Sequence, residues 1–138
     1  MRMSKRQGGF TLLETTSVIA LVGTLTAVAL PRYEDMMRSA RVAKMEIARR
    51  AVNESAQVYH MRWILAGSPP AAVIDGVQMN AAGYPTGAGI LVAAGVADGY
   101  DTRLPGVIAA DPQHPRCSLV YLPETGKSVV NYAGGSDC

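Results

Sequence analysis

The sequence predicts an α+β fold: a long, kinked N-terminal α-helix with a small antiparallel β-sheet packed on its C-terminal half. Three observations carry that expectation. A nearly uncharged apolar run extends from Phe10 to Leu30, a stretch free of Gly and Pro follows from Arg32 to Ala66, and two hairpin signals lie beyond it. With 138 residues the chain is long enough for one modest core and too short for two independent ones.

The apolar run reads FTLLETTSVIALVGTLTAVAL and contains a single charge, Glu14. As a helix, its roughly 21 residues at about 1.5 Å each match the thickness of one bilayer. Arg2, Lys5 and Arg6 precede it closely, so the positive-inside bias holds residues 1–9 in the cytoplasm and sends the chain after Pro31 outward. An ordinary signal peptide is one reading, because Ala27-Val28-Ala29 has the small-x-small form of a signal-peptidase site; it would release a periplasmic binding domain after Ala29. A plain membrane anchor is another. Both leave Glu14 unexplained, since a carboxylate within an apolar helix costs about 2.5 kcal/mol or more at mid-bilayer.

Pro31 removes one rung of the helical ladder and is expected to kink the helix without ending it. Beyond it, Ala40, Ala43, Ile47, Ala51, Val58 and Leu65 lie at helical spacing beside a second stripe of Met45, Ala48, Val52, Tyr59 and Trp63. Together they predict a wide apolar face over residues 31–67. Glu46 with Arg50, and Arg50 with Glu54, have the spacing of solvent-side ion pairs. Gly67 and Ser68-Pro69-Pro70 stop the helix.

The region 68–138 is expected to hold the sheet. Asp75-Gly76 sits between the short apolar runs Val73-Ile74 and Val77-Gln78-Met79, a hairpin signal. Ser118–Leu122 and Ser128–Ala133 flank a Pro123–Lys127 turn, a stronger one. Residues 80–116, rich in Gly, Pro and Ala, are left without assigned elements.

Composition excludes several functions. The net charge of +2 owes its sign to the three N-terminal cations; without them ten Lys or Arg face eleven Asp or Glu, and no basic patch with interleaved aromatics marks a nucleic-acid binder. His60 and His114 lack metal-ligand spacing to each other or to a cysteine and read as surface residues, and no phosphate loop or nucleophile elbow is present. Neither catalysis nor a cofactor is expected. Asp98 and Asp101 in a Gly-rich loop read as a turn, with calcium binding as the alternative. An exported chain favours a disulfide between Cys117 and Cys138, closing a loop of about 22 residues and stabilising the tail by roughly 3 kcal/mol; two free thiols of a cytoplasmic protein are the alternative.

Gly8-Gly9-Phe10-Thr11-Leu12-Leu13-Glu14 resembles the class III signal of type IV prepilins and type II secretion pseudopilins: a glycine, an apolar residue, then Thr-Leu-x-Glu. Ala29-Leu30-Pro31-Arg32-Tyr33 is similar to the Pro and nearby Tyr that close the apolar segment in many pilins, and Gly83-Tyr84-Pro85-Thr86 with Gly89-Ile90 resembles the mannose-sensitive haemagglutinin branch.

The resemblance implies a pilin lollipop with a leader over 1–9, a transmembrane and filament-core helix over 10–30, its amphipathic continuation over 31–67, and a globular β region over 68–138 with a C-terminal disulfide loop. It implies cleavage by a prepilin peptidase after Gly9 and methylation of the new amine of Phe10. Glu14 would then pair with the Phe10 amine of a neighbouring subunit, setting axial register. The implied partners are copies of the chain, the peptidase, an assembly platform protein with its ATPase, and inner-membrane lipid. The implied locations are the inner membrane and then an extracellular pilus serving adhesion, motility, DNA uptake or secretion. A pseudopilin or minor pilin is the alternative role.

Overall fold

A computed structural model describes residues 10–70, 72–131 and 138; Gly9 and the rest of the leader lie outside the described residues. Two compact units divide the chain, Met1–Met37 and Arg38–Cys138. One helix, α1 (Leu12–Leu65), contributes to both and contains Pro31 without ending there. In the first unit every described residue is exposed, the apolar segment included.

Termination of α1 follows from sequence. Gly67 adopts φ +86°, which only a residue without Cβ adopts freely, so the chain turns back on the helix end. The Gly67 N–H then donates to Ile64 O and the Ser68 N–H to Trp63 O, both at 3.0 Å, the paired bonds of a Schellman motif.

In the second unit the buried stripe of α1 is Met45, Ala48, Val52 and Ala56. This corrects the expectation of a wide apolar face: Ala40, Ala43, Ile47, Val58 and Leu65 are exposed, Ile47 at 65% and Leu65 at 86%, while Tyr59 and Trp63 are half-buried. The reason is the size of the opposing layer. It consists of β3 (Val107–Ala109), β4 (Ser118–Leu122) and β5 (Lys127–Val130), strands of three to five residues, too small a surface to cover two helix stripes. Of the expected ion pairs Glu46–Arg50 forms only loosely at 3.8 Å, because Arg49 takes the same carboxylate at 2.6 Å.

The sheet is antiparallel in the order β3-β4-β5. Ile108, Leu119 and Tyr121 face inward and join Met45, Val52, Ile90 and the two cysteines in one core. The second hairpin stands one residue earlier than expected, with Lys127 opening β5; Ala133, its expected end, lies outside the described residues. The first hairpin is as the Asp-Gly pair predicts: β1 (Val73–Ile74) and β2 (Val77–Gln78) flank Asp75 and Gly76, both at positive φ as a type I′ turn requires. Between the hairpins runs a short helix, α2 (Gly89–Ala93), whose Ile90 is fully buried.

Candidate functional site

Phe10 and Thr11 precede the first turn of α1, and Phe10 is 82% exposed. Thr11 caps the helix: its Oγ1 accepts the Glu14 N–H at 3.2 Å, three residues on. Thr11-Leu12-Leu13-Glu14 therefore has the spacing of a capping box as well as of a processing signal, a pattern legible in the sequence but not read there. The cap starts the helix at Leu12 and fixes Glu14 in its first turn, where the positive end of the helix favours a carboxylate. Among the described residues the Glu14 carboxylate has no hydrogen-bond or ion-pair partner.

The hydroxyls of the apolar segment are satisfied within it. Those of Thr15, Thr16, Ser17, Thr24 and Thr26 donate to carbonyls three or four residues back, at 2.8 to 3.3 Å. The segment is long and apolar enough to cross a membrane, and Glu14 is the one charge before Arg32 among its described residues.

Cys117 and Cys138 form the expected disulfide, with Cα atoms 4.9 Å apart and both residues buried. The Arg41 guanidinium donates from Nε to Cys138 O at 2.8 Å, so α1 holds the far side of the bridge. Nearby, Lys44 Nζ donates to Gly99 O and Ala110 O and lies 4.6 Å from the centre of the Tyr100 ring. These ties to carbonyls are absent from any periodicity and could not be read from the sequence.

The segment resembling the haemagglutinin branch has a local physical role at each position. Tyr84 stacks on His60 with ring centres 4.2 Å apart, and His60 lies 5.8 Å from Trp63. Glycine at 83 and 126 is required by close approach: a Cβ on Gly83 would enter the Trp63 ring, and one on Gly126 the Tyr84 ring. Pro85 is buried, and Thr86 Oγ1 accepts the Gly89 N–H at 3.1 Å at the start of α2. His60 is thus a half-buried clasp, with Nδ1 2.8 Å from Gly83 O, rather than an ordinary surface residue.

His114 is likewise engaged, 2.7 Å from Asp111 Oδ1. Burial pushes the Asp111 carboxyl up, but hydrogen bonds from the His114 side chain and from the Gln113 and His114 N–H groups outweigh it, leaving its pKa lowered. Asp101 is held by Arg103 through both carboxylate oxygens, and that hydrogen bonding lowers its pKa too. The Asp101 carboxylate of the calcium alternative is thus already engaged by a side-chain cation. Among the described residues no group of three or more His, Cys, Asp or Glu side chains could hold a metal ion.

An apolar, singly charged helical segment continued by a half-buried helix on a small disulfide-bonded sheet defines a pilin-like α+β protein. Similarity to known proteins points the same way. The chain is 48% identical over 40 residues, 29% of its length and 25% of the relative's, to the fimbrial protein EcpB of Eikenella corrodens. It is 52% identical over 42 residues, 30% and 26% of the two lengths, to the type IV major pilin protein PilE1 of Neisseria gonorrhoeae. A fimbrial protein of Moraxella nonliquefaciens is 50% identical over 38 residues, 28% of this chain and 25% of that one. The chain thus spans about a quarter of the length of the curated relatives it matches, and these matches support the type IV pilin family. No protein-family model matches the chain, and no solved structure does.

Proposed function

We propose that the chain is the structural subunit of a type IV pilus filament, without catalytic activity of its own. In this reading it is held in the inner membrane by its apolar helix, cut after Gly9 and methylated at Phe10. A platform protein and its ATPase then polymerise it into a surface fibre for adhesion, motility or a related task. The observation that carries the reading is Glu14: a carboxylate without a partner among the described residues, in the wholly exposed apolar part of α1, four residues along the chain from Phe10. Buried alone it is costly; beside the freed Phe10 amine of a second subunit two charges are offset together. Relatives that are fimbrial proteins and major pilins support the major-subunit role over that of a pseudopilin or minor pilin.

Glu14→Ala should still be inserted and processed, because removing a charge eases membrane insertion, yet fail to polymerise. Glu14→Gln should also assemble poorly if charge rather than shape matters. The readout is sheared fibre against the membrane pool of processed subunit; fibre yields equal to the parent's for both variants would remove the basis of the reading. Sequencing the mature N-terminus separates the alternatives, Phe10 for the filament subunit and Leu30 for a domain released by signal peptidase.

A further inference from the structure

The chain contains two Asp-Gly pairs, Asp75-Gly76 and Asp98-Gly99, and the fold treats them differently. In such a pair the aspartyl side chain can close on the next amide nitrogen, because glycine puts no Cβ in the way. Closure needs that nitrogen turned to the Cβ side of the aspartate. Asp75-Gly76 is held against it twice. The pair forms the centre of the β1-β2 hairpin at φ +49° and +81°, and a type I′ turn sets ψ of its first residue near about +30°, which points the Gly76 nitrogen away from Cβ. Ile74 and Val77 pair across the turn and keep it shut, and the Asp75 carboxylate is engaged by Arg62.

Asp98-Gly99 has neither restraint. Val96 N–H donates to Leu91 O at 3.2 Å and Asp101 N–H to Ala109 O at 3.0 Å, and among the described residues no backbone–backbone hydrogen bond forms from Ala97 to Tyr100 between them. Both residues of the pair are exposed, and the Asp98 carboxylate has no hydrogen-bond or ion-pair partner among the described residues. A Cβ built on Gly99, at φ +83°, would meet nothing within 4 Å. The peptide joining the pair can turn as a crankshaft, changing ψ of Asp98 and φ of Gly99 in opposite senses, and glycine tolerates the φ values it sweeps through.

We infer that Asp98 is a site of self-modification, isomerising to isoaspartate in the folded chain while Asp75 is spared. The Gly99 nitrogen bonds to Asp98 Cγ, and a carboxyl oxygen leaves as water with the displaced protons. Water then adds at the main-chain carbonyl of Asp98 and breaks its bond to the Gly99 nitrogen, freeing that carbonyl as a carboxylate. No atom is gained or lost and no oxidant is consumed. The main chain now runs through Cβ, one carbon longer, which draws Gly99 O away from Lys44 Nζ and leaves that ammonium with Ala110 O and the Tyr100 ring.

The test incubates the full chain in detergent micelles at neutral pH over weeks. One tryptic peptide, residues 63–103, holds both pairs, and electron-transfer fragmentation locates isoaspartate within it. Asp98 should isomerise faster than Asp75 by about fivefold or more, since an exposed ion pair alone accounts for up to that factor. In urea, with turn and ion pair gone, the two rates should converge. Asp98→Glu, which needs a slower six-membered ring, should abolish the signal at that position. Equal rates in the folded chain, no isomerisation at Asp98 there, a lead for Asp98 that persists in urea, or a signal that survives Asp98→Glu would each overturn the inference.

Discussion

The Asn53 side chain closes the outer edge of the sheet: its Oδ1 accepts both the backbone N–H and the Oγ hydroxyl of Ser128, each at 2.9 Å. Ser128 pairs with Tyr121 in a position whose N–H points away from β4, so this donor would otherwise be an unmatched group of an edge strand. Asn53→Ala should lower stability by about 1–3 kcal/mol, the penalty for stranding part-buried donors. Urea unfolding followed by Trp63 fluorescence checks it. A variant as stable as the parent would show that water replaces Asn53 without loss.

A second prediction concerns the aromatic clasp. Gly83→Ala should destabilise by about 2–4 kcal/mol, because the new methyl collides with the Trp63 ring at a backbone φ of +78° that alanine adopts poorly. Gly95→Ala shares the positive φ but has open space around its Cβ, so it should lose only about 1 kcal/mol. Equal losses for the two would show that backbone conformation alone, and not the ring contact, matters.

How much was legible divides along physical lines. The helix, both hairpins and the pairing of Cys117 with Cys138 follow from local signals, namely periodicity, Asp75-Gly76 and two cysteines in a chain with a membrane-length apolar segment. β3 and α2 did not, because Val107–Ala109 and Gly89–Ala93 are too short for a period to show and sit among turn residues. The width of the buried helix face was overread since sequence reports which residues are apolar, not how much opposing surface exists. His60 was misread because its stacking partner Tyr84 comes from a segment with no assigned element.

Tyr121 carries a testable defect. Its hydroxyl is buried without a hydrogen-bond partner among the described residues, and burial, followed by the nearby Tyr84, raises its pKa above the ordinary 10.0. Tyr121→Phe should be neutral or stabilising by about 1 kcal/mol. A raised folded pKa means stability fully present below pH 10 and lost as pH climbs toward the folded value, so the parent should weaken in alkali more than the variant. Matching alkaline profiles for the two proteins would remove Tyr121 as the cause.

Acid should act through Asp111 and Asp101. Both folded pKa values are lowered from 3.8, so their stabilising contribution is present above that value and is lost as pH falls through the folded ones. The parent should lose stability below about pH 4, and Asp111→Asn should show a shallower loss. Urea midpoints across that range decide; an acid profile unchanged in the variant would exclude Asp111.

The back-bonded hydroxyls of Thr15, Thr16, Ser17, Thr24 and Thr26 have a consequence for any helix that must change surroundings. Each polar group travels with its own partner, so exchanging acyl chains for the side chains of other helices breaks and makes no hydrogen bond along the segment. The helix is portable between two solvents. What distinguishes one environment from the other is left to packing and to Glu14, the single group that arrives without a companion among the described residues.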